Sequence, residues 1–258
     1  MNRERIELRP VKWELKDGIG ILNINQFSAN VGAQVASALT AMDKAAGGKP
    51  VGYVVDLRSN PGGLLDQAID VSDAFLERGE IVSERGRAKD DIERFYAKPG
   101  DLTGGRPIIV LVDAGSASAA EIVAGALQDH RRAIVMGERS FGKGSVQTVI
   151  QLDQNSALRL TTARYYTPSG KSVQAGGIDP DIAVPQLSDP DYKSRPTVRE
   201  ADLRRHLVAQ DKVDDKLLER DDTTDPRFTL TAAELEKKGI KDFQLHYALQ
   251  AMKRLGGT

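Results

Sequence analysis

Residues 107–147 read P-I-I-V-L-V-D-A-G-S-A-S-A-A-E-I-V-A-G-A-L-Q-D-H-R-R-A-I-V-M-G-E-R-S-F-G-K-G-S-V-Q. Pro107 to Val112 is a short apolar run of the kind that forms a buried strand. A small-residue turn follows, then a helix from about Ser118 to Gln128. Ala133 to Met136 is apolar again and predicts another strand. Strand, turn, helix, strand is the repeating unit of an α/β core.

The same alternation extends upstream. Residues 5–15 and 19–24 predict two strands around the turn Lys16-Asp17-Gly18. Ala29 to Ala46 predicts a helix, with apolar residues at Val31, Val35, Leu39 and Met42. Val51 to Leu57 is a short buried strand that runs into Arg58-Ser59-Asn60-Pro61-Gly62-Gly63, and Leu64 to Leu76 is helical again. Downstream the period changes to two. V-Q-T-V-I-Q-L and A-L-R-L-T-T-A, within residues 145–163, predict a β-hairpin or edge strands. After Pro185 the chain becomes charge-rich and poor in aromatic residues. Residues 188–228 predict a surface excursion with one helix near 198–219. Ala232 to Leu255 predicts an amphipathic helix interrupted near Gly239. The domain expectation is a core over 1–185 and a charged, mostly helical C-terminal extension over 186–258.

Composition removes several functions. With 36 basic and 37 acidic residues the net charge is −1, so bulk attraction to nucleic acid or an anionic membrane is not expected. Cysteine is absent, which excludes a disulfide framework, a thiol nucleophile and a thiolate metal site. The three histidines, His130, His206 and His246, are far apart in sequence, so a multi-histidine metal site is not expected; the expectation for cofactors is none. No run approaches the roughly 20 apolar residues of a membrane span. The start, M-N-R-E-R-I-E-L-R-P-V, has no apolar signal core and reads as the opening of a strand.

Chemistry concentrates in the opening stretch. Ser118 opens a helix, where backbone amides and the helix dipole favour a developing negative charge. Ser118-Ala119-Ala120-Glu121 also fits a capping box, which would make the serine a purely structural cap. Ser116 competes for either role. Lys143 sits between two glycines. It can act as a base once burial or a neighbouring cation lowers its pKa, and otherwise it is a solvated loop lysine. Residues 137–143 nearly match the phosphate-binding loop G-x-x-x-x-G-K-[ST], but Gly144 replaces the hydroxyl, and strand-like residues follow where a helix should start. His130, twelve residues after Ser118, would lie roughly 18 Å along a continuous helix and could not touch it. Asn60-Pro61-Gly62-Gly63 ends a strand, where open α/β sheets bind ligands, and its amides could stabilise an oxyanion. It could equally be an ordinary strand-to-helix turn.

Taken in order, I-G-I-L-N-I-N-Q-F, D-L-R-S-N-P-G-G-L-L, V-L-V-D-A-G-S-A-S-A-A-E-I, V-M-G-E-R-S-F-G-K-G-S-V-Q and T-A-R-Y-Y-T-P-S-G-K-S-V-Q-A-G-G-I-D-P-D resemble the carboxyl-terminal processing (tail-specific) serine peptidases. The final D-F-Q-L-H-Y-A-L-Q-A-M-K is also similar to the end of such proteins. The resemblance implies a crotonase/Clp-type peptidase fold and a serine–lysine dyad, with Ser118 as nucleophile and Lys143 as general base. It aligns Gln147 with a glutamine that orients the lysine, and Glu121 and Asp129 with acidic positions tied to activity. The amides of Gly62, Gly63 and Ala119 would hold the oxyanion. The partners implied are protein or peptide substrates, with a homo-oligomer through the C-terminal helices as a further expectation. The compartment implied is the periplasm or another extracytoplasmic space. The family usually carries a PDZ domain just before the core. This chain begins where that domain would end, so an engineered or trimmed core fragment is expected, with weakened activity. The competing readings are a crotonase-like acyl-CoA enzyme and a catalytically silent scaffold.

Overall fold

The computed structural model describes residues 9–88, 90–192, 194, 196–204, 207 and 227–256. Among the described residues, ten strands form two sheets. The larger is six-stranded, in the order β1-β2-β3-β6-β7-β10. Its members are β1 (Val11–Lys16), β2 (Ile19–Ile24), β3 (Gly52–Asp56), β6 (Ile108–Val112), β7 (Ile134–Gly137) and β10 (Ile182–Ala183). β1 pairs antiparallel with β2, and every other pairing is parallel. The smaller sheet is antiparallel, in the order β5-β4-β9-β8. It comprises β4 (Gly79–Arg85), β5 (Ile92–Ala97), β8 (Ser145–Gln151) and β9 (Ala157–Tyr166).

The parallel strands are largely apolar because both faces of the sheet are covered. Tyr53, Val55, Ile108, Val110, Val112 and Val135 face one core. There they meet α1 (Val31–Ala45), α2 (Leu65–Asp73) and α3 (Ala119–Asp129). Their sequence neighbours Val54, Ile109, Leu111 and Met136 face a second core. That side is closed by α4 (Ala232–Lys237) and α5 (Phe243–Leu255), which contribute Leu235, Phe243, Ala248, Leu249 and Met252.

The helices and most of the strands fall where the periodicity places them. The predicted helix over 232–255 is two helices, broken where Gly239 adopts a φ of 71°. No change of core accompanies the expected boundary at 185/186, because residues 228–252 complete the second core. The apolar face of α5, one candidate for a subunit contact, is spent on this chain's own sheet. The sequence reading passes over β4 and β5, whose short alternating runs lie between two loops. Most of the helix expected near 198–219 lies outside the described residues, as does His206, and so do residues 5–8 of the first predicted strand. Glu200–Asp202 form one 3-10 turn. Among the described residues no helix is long and apolar enough to cross a membrane.

Candidate active site

β3, β6 and β7 are adjacent and parallel, so their C-terminal ends lie side by side. Ligands bind at that edge of open α/β sheets. The three loops leaving it are 57–64, 113–118 and 138–144, and they carry Gly62, Gly63, Ser118 and Lys143. Sheet order therefore brings together residues that are far apart in sequence.

The serine turn is built from buried polar bonds. Ser116 Oγ accepts from the Asp113 N–H at 2.9 Å and donates to the Leu57 carbonyl at 2.9 Å. Ser116 is fully buried, so its hydroxyl is engaged on both sides and shielded from solvent. Asp113 also accepts from the Ser59 and Gly115 amides. Ser118 follows with φ 55° and ψ −114°, a region that strains a residue bearing a Cβ by about 1–3 kcal/mol. It is half-buried and immediately precedes α3. Its hydroxyl makes no side-chain cap hydrogen bond. The other half of the capping box is present, since the Ser118 N–H donates to Glu121 Oε2 at 2.7 Å.

Glu121 is the hub. It is fully buried, and its carboxylate accepts four hydrogen bonds. Oε2 takes the amides of Ser118 and Lys143 at 2.7 and 2.9 Å. Oε1 takes the Gly142 amide at 2.7 Å and the Ser140 hydroxyl. The Ser118 and Lys143 nitrogens share one oxygen, so they lie no further apart than the two bond lengths together, about 5.6 Å. Burial pushes the Glu121 carboxyl up to about 7, against the opposing pull of those four donors. The amides that a phosphate-binding loop would offer to phosphate are here occupied by a carboxylate of the same chain. β8, not a helix, follows the loop.

The lysine loop is gripped from its other side as well. The Gly144 amide donates to Gln174 Oε1 at 3.1 Å, and Gln174 is fully buried. A Cβ on Gly144 would stand 2.4 Å from the Gln174 nitrogen, so only glycine allows this approach. Lys143 is half-buried. Its ammonium and the Ser118 hydroxyl are not hydrogen-bonded to each other.

The glycine turn lies against the serine. A Cβ on Gly62 would sit 2.8 Å from Ser118 Cβ and 2.9 Å from the Ala119 nitrogen. Buried Asn60 shapes the turn by donating to the Ile24 carbonyl and accepting from the Gly62 N–H at 2.8 Å. The Gly62 amide is thus already engaged. Those of Gly63 and Ala119 carry no hydrogen bond among the described residues.

Two expected members lie elsewhere. Asp129 is exposed at the far end of α3, about 16 Å along the axis from Ser118, where it accepts from the Ser169 amide. Gln147 is exposed on β8, beyond a register shift at Val146. His130 ends α3 and contacts the Glu80 carbonyl. Asn60, Ser140 and Gln174 were missed as site residues. Asn60 carried a signal in its place before Pro-Gly-Gly, whereas Ser140 and Gln174 carried none, because a buried polar residue has no period. Among the described residues no group of three or more acidic or histidine side chains is arranged to hold a metal.

Residues 18–184 match the family described as Peptidase family S41. The chain is 54% identical over 214 residues to a carboxy-terminal-processing protease of Bartonella bacilliformis, across 82% of this chain and 49% of that protein. It is 38% identical over 191 residues to a carboxyl-terminal-processing protease of Synechocystis, across 72% of this chain and 44% of that one. Its fold is similar to that of the photosystem II D1 C-terminal processing protease, with a TM-score of 0.62 and 32% identity over 70% of this chain and 50% of that one. The chain spans about half the length of the curated relatives it matches.

Proposed function

The chain belongs to peptidase family S41, and from that membership we propose that it is the core of a serine endopeptidase that cleaves protein substrates at or near their C-terminal region. The observation that carries this reading is the shared carboxylate. Glu121 holds the backbones of Ser118 and Lys143, 25 positions apart, against one oxygen. In this reading Ser118 is the nucleophile and Lys143 the general base. Lys143 takes the hydroxyl proton as Ser118 attacks the peptide carbonyl. The protonated lysine then returns it to the leaving amine, and water hydrolyses the acyl-enzyme.

The oxyanion donors are the amides of Gly63 and Ala119. Gly62 serves by its close approach, since its own N–H is held by Asn60. Glu121 acts as a positioning residue. The strained Ser118 backbone keeps the hydroxyl clear of the helix it begins. A rotation of the Lys143 side chain must bring its amine to the serine. Gln147 would join only if β8 shifts, and Asp129 supports the loop at Ser169 rather than the chemistry. The doubly covered parallel sheet supports the crotonase/Clp-type description. The family resemblance supports an extracytoplasmic setting.

Covalent labelling with an electrophilic serine probe, located by peptide mass mapping, tests the assignment. Label on Ser118 that disappears in Ser118→Ala and falls at least about a hundredfold in rate in Lys143→Ala is expected. Peptide hydrolysis persisting at full rate in Ser118→Ala would overturn it. Stabilisation by coenzyme A without labelling would favour the acyl-CoA alternative.

A further inference from the structure

Among the described residues the buried side-chain atoms Ser83 Oγ, Arg85 Nε, Arg164 Nη1 and Ser172 Oγ make no hydrogen bond. The first three lie on the smaller sheet and Ser172 is bridged to it. Ser83 pairs with Tyr166 and Arg85 with Arg164 across β4 and β9. Tyr166 bridges to Ser172, and Arg164 pairs with Ser145 on β8. Directly opposed residues, and residues two apart on one strand, share a face of the sheet. All four unsatisfied groups therefore lie on one face, around Tyr166.

The charges on this face are unbalanced. Like charges directly opposite destabilise an antiparallel pair, yet Arg85 and Arg164 face each other. Among the described residues no carboxylate is within ion-pair distance of either. Arg94, on the next strand, is already paired with Glu80. Glu84 and Glu93 alternate onto the opposite face. The Arg85 guanidinium stacks 4.1 Å over the Tyr166 ring, which fixes its plane. A guanidinium stacked on Tyr166, a second one paired opposite it and two unbonded hydroxyls offer the donors that a planar carboxylate accepts. Both arginines are half-buried as residues, Ser83 is fully buried, and Arg85 Nε and Arg164 Nη1 are themselves enclosed, so a ligand would be met by the remaining guanidinium nitrogens.

The position relates this face to the dyad. Ser145 is two residues past Lys143, about 7 Å of extended chain, and Arg164 is one strand spacing further, about 5 Å. A peptide extending a few residues beyond a bond at Ser118 would reach it. We propose that Arg85 and Arg164, with Ser83 and Ser172, form a carboxylate-binding site beside the dyad that receives the free C-terminus of a peptide substrate. The assignment of that ligand rests on the peptidase reading above.

The test uses the full chain carrying Ser118→Ala, so that ligands are not consumed, and fluorescence anisotropy with three labelled peptides of one sequence. One ends in a free acid, one in an amide, and one in an amide with an added internal glutamate. The free acid should bind about tenfold more tightly than the amide. Arg85→Gln and Arg164→Gln should each bring the two within about twofold, and Arg164→Lys should retain less than half of the preference, because a lysine keeps the charge and loses the fork. Equal binding of acid and amide, no binding of the acid, or a preference that survives in both glutamine variants would overturn the site. The acid–amide comparison in the parent chain decides the matter even if an arginine variant fails to fold. An internal-glutamate amide that binds as tightly as the free acid would keep the site and overturn the C-terminal assignment. Probe labelling of Ser118 in the unsubstituted chain is scored separately, so a loss of the peptidase reading is distinguishable from a loss of this site.

Discussion

Replacing Glu121 with glutamine should change how stability depends on pH, and the magnitude follows from burial. The Glu121 carboxyl is fully enclosed and pushed up to about 7 from an ordinary value of 4.5, with burial as the largest cause. A folded-state pKa above the unfolded one stabilises the fold at low pH. That contribution is full below about 4.5 and is lost as pH rises through about 7. The separation of the two values corresponds to roughly 3 kcal/mol. Of this, about 2–3 kcal/mol should be lost between pH 5 and pH 8. Other titrating groups are common to both proteins and cancel in the difference. Urea denaturation of the parent chain and Glu121→Gln at pH 5, 6, 7 and 8 gives the comparison directly. Relative to the variant, the parent should lose about 2–3 kcal/mol over that range, equivalent to roughly 5–10 °C in Tm for a chain of this size. The variant also carries a fixed cost of about 1–3 kcal/mol, because its amide oxygen can accept from only two of the hub's four donors and the other two lose their acceptor. Parallel pH profiles for the two proteins would refute the reasoning, since they would mean that the Glu121 carboxyl binds no more protons in the fold than in the unfolded chain over this range.

Gly62→Ala places a Cβ 2.6 Å from the Ala117 carbonyl oxygen at a φ of 92°; it should cost roughly 2–5 kcal/mol in urea and slow Ser118 labelling together. Ser116→Ala removes a hydroxyl bonded on both sides; a loss of about 1–3 kcal/mol is expected with label still arriving at Ser118, whereas label lost with Ser116 and kept in Ser118→Ala would exchange the two roles. Met252→Ala empties a fully buried position where α5 meets the sheet; it should destabilise the chain by about 2–5 kcal/mol, and a negligible change in denaturation midpoint would show that α5 does not pack on this sheet.

Much of this site was legible because its backbone requirements need particular residue types. Gly62 and Gly144 stand where a Cβ would collide with main chain, and such glycines leave recognisable punctuation in a sequence. The Ser-Ala-Ala-Glu run announced both the start of α3 and the reach of Glu121 back to Ser118, since a capping box is a local device. The second function of Glu121 was not legible. Its bonds to Ser140, Gly142 and Lys143 cross 19 to 22 positions of sequence and depend on β6 and β7 lying side by side. Asp129 and Gln147 show the converse, because similarity to a motif aligned them with activity, while Asp129 ends α3 bonded to Ser169 and Gln147 is exposed on β8. The C-terminal helices were read correctly as amphipathic, but hydrophobic periodicity does not say which surface an apolar face will meet.

The sequence by itself determined the alternating α/β core, the helix that begins at Ser118 and the glycine turns. These follow from backbone sterics and short-range periodicity, which act over a few residues. Only the tertiary structure decided that the Ser116 hydroxyl is buried and bonded on both sides, that one buried carboxylate joins the serine and lysine loops, that the Gly62 amide is already taken, and that α5 closes the second core. Those outcomes depend on which strands are neighbours and on which polar groups lose their water. Both are properties of the packed chain, and no local stretch of sequence contains them.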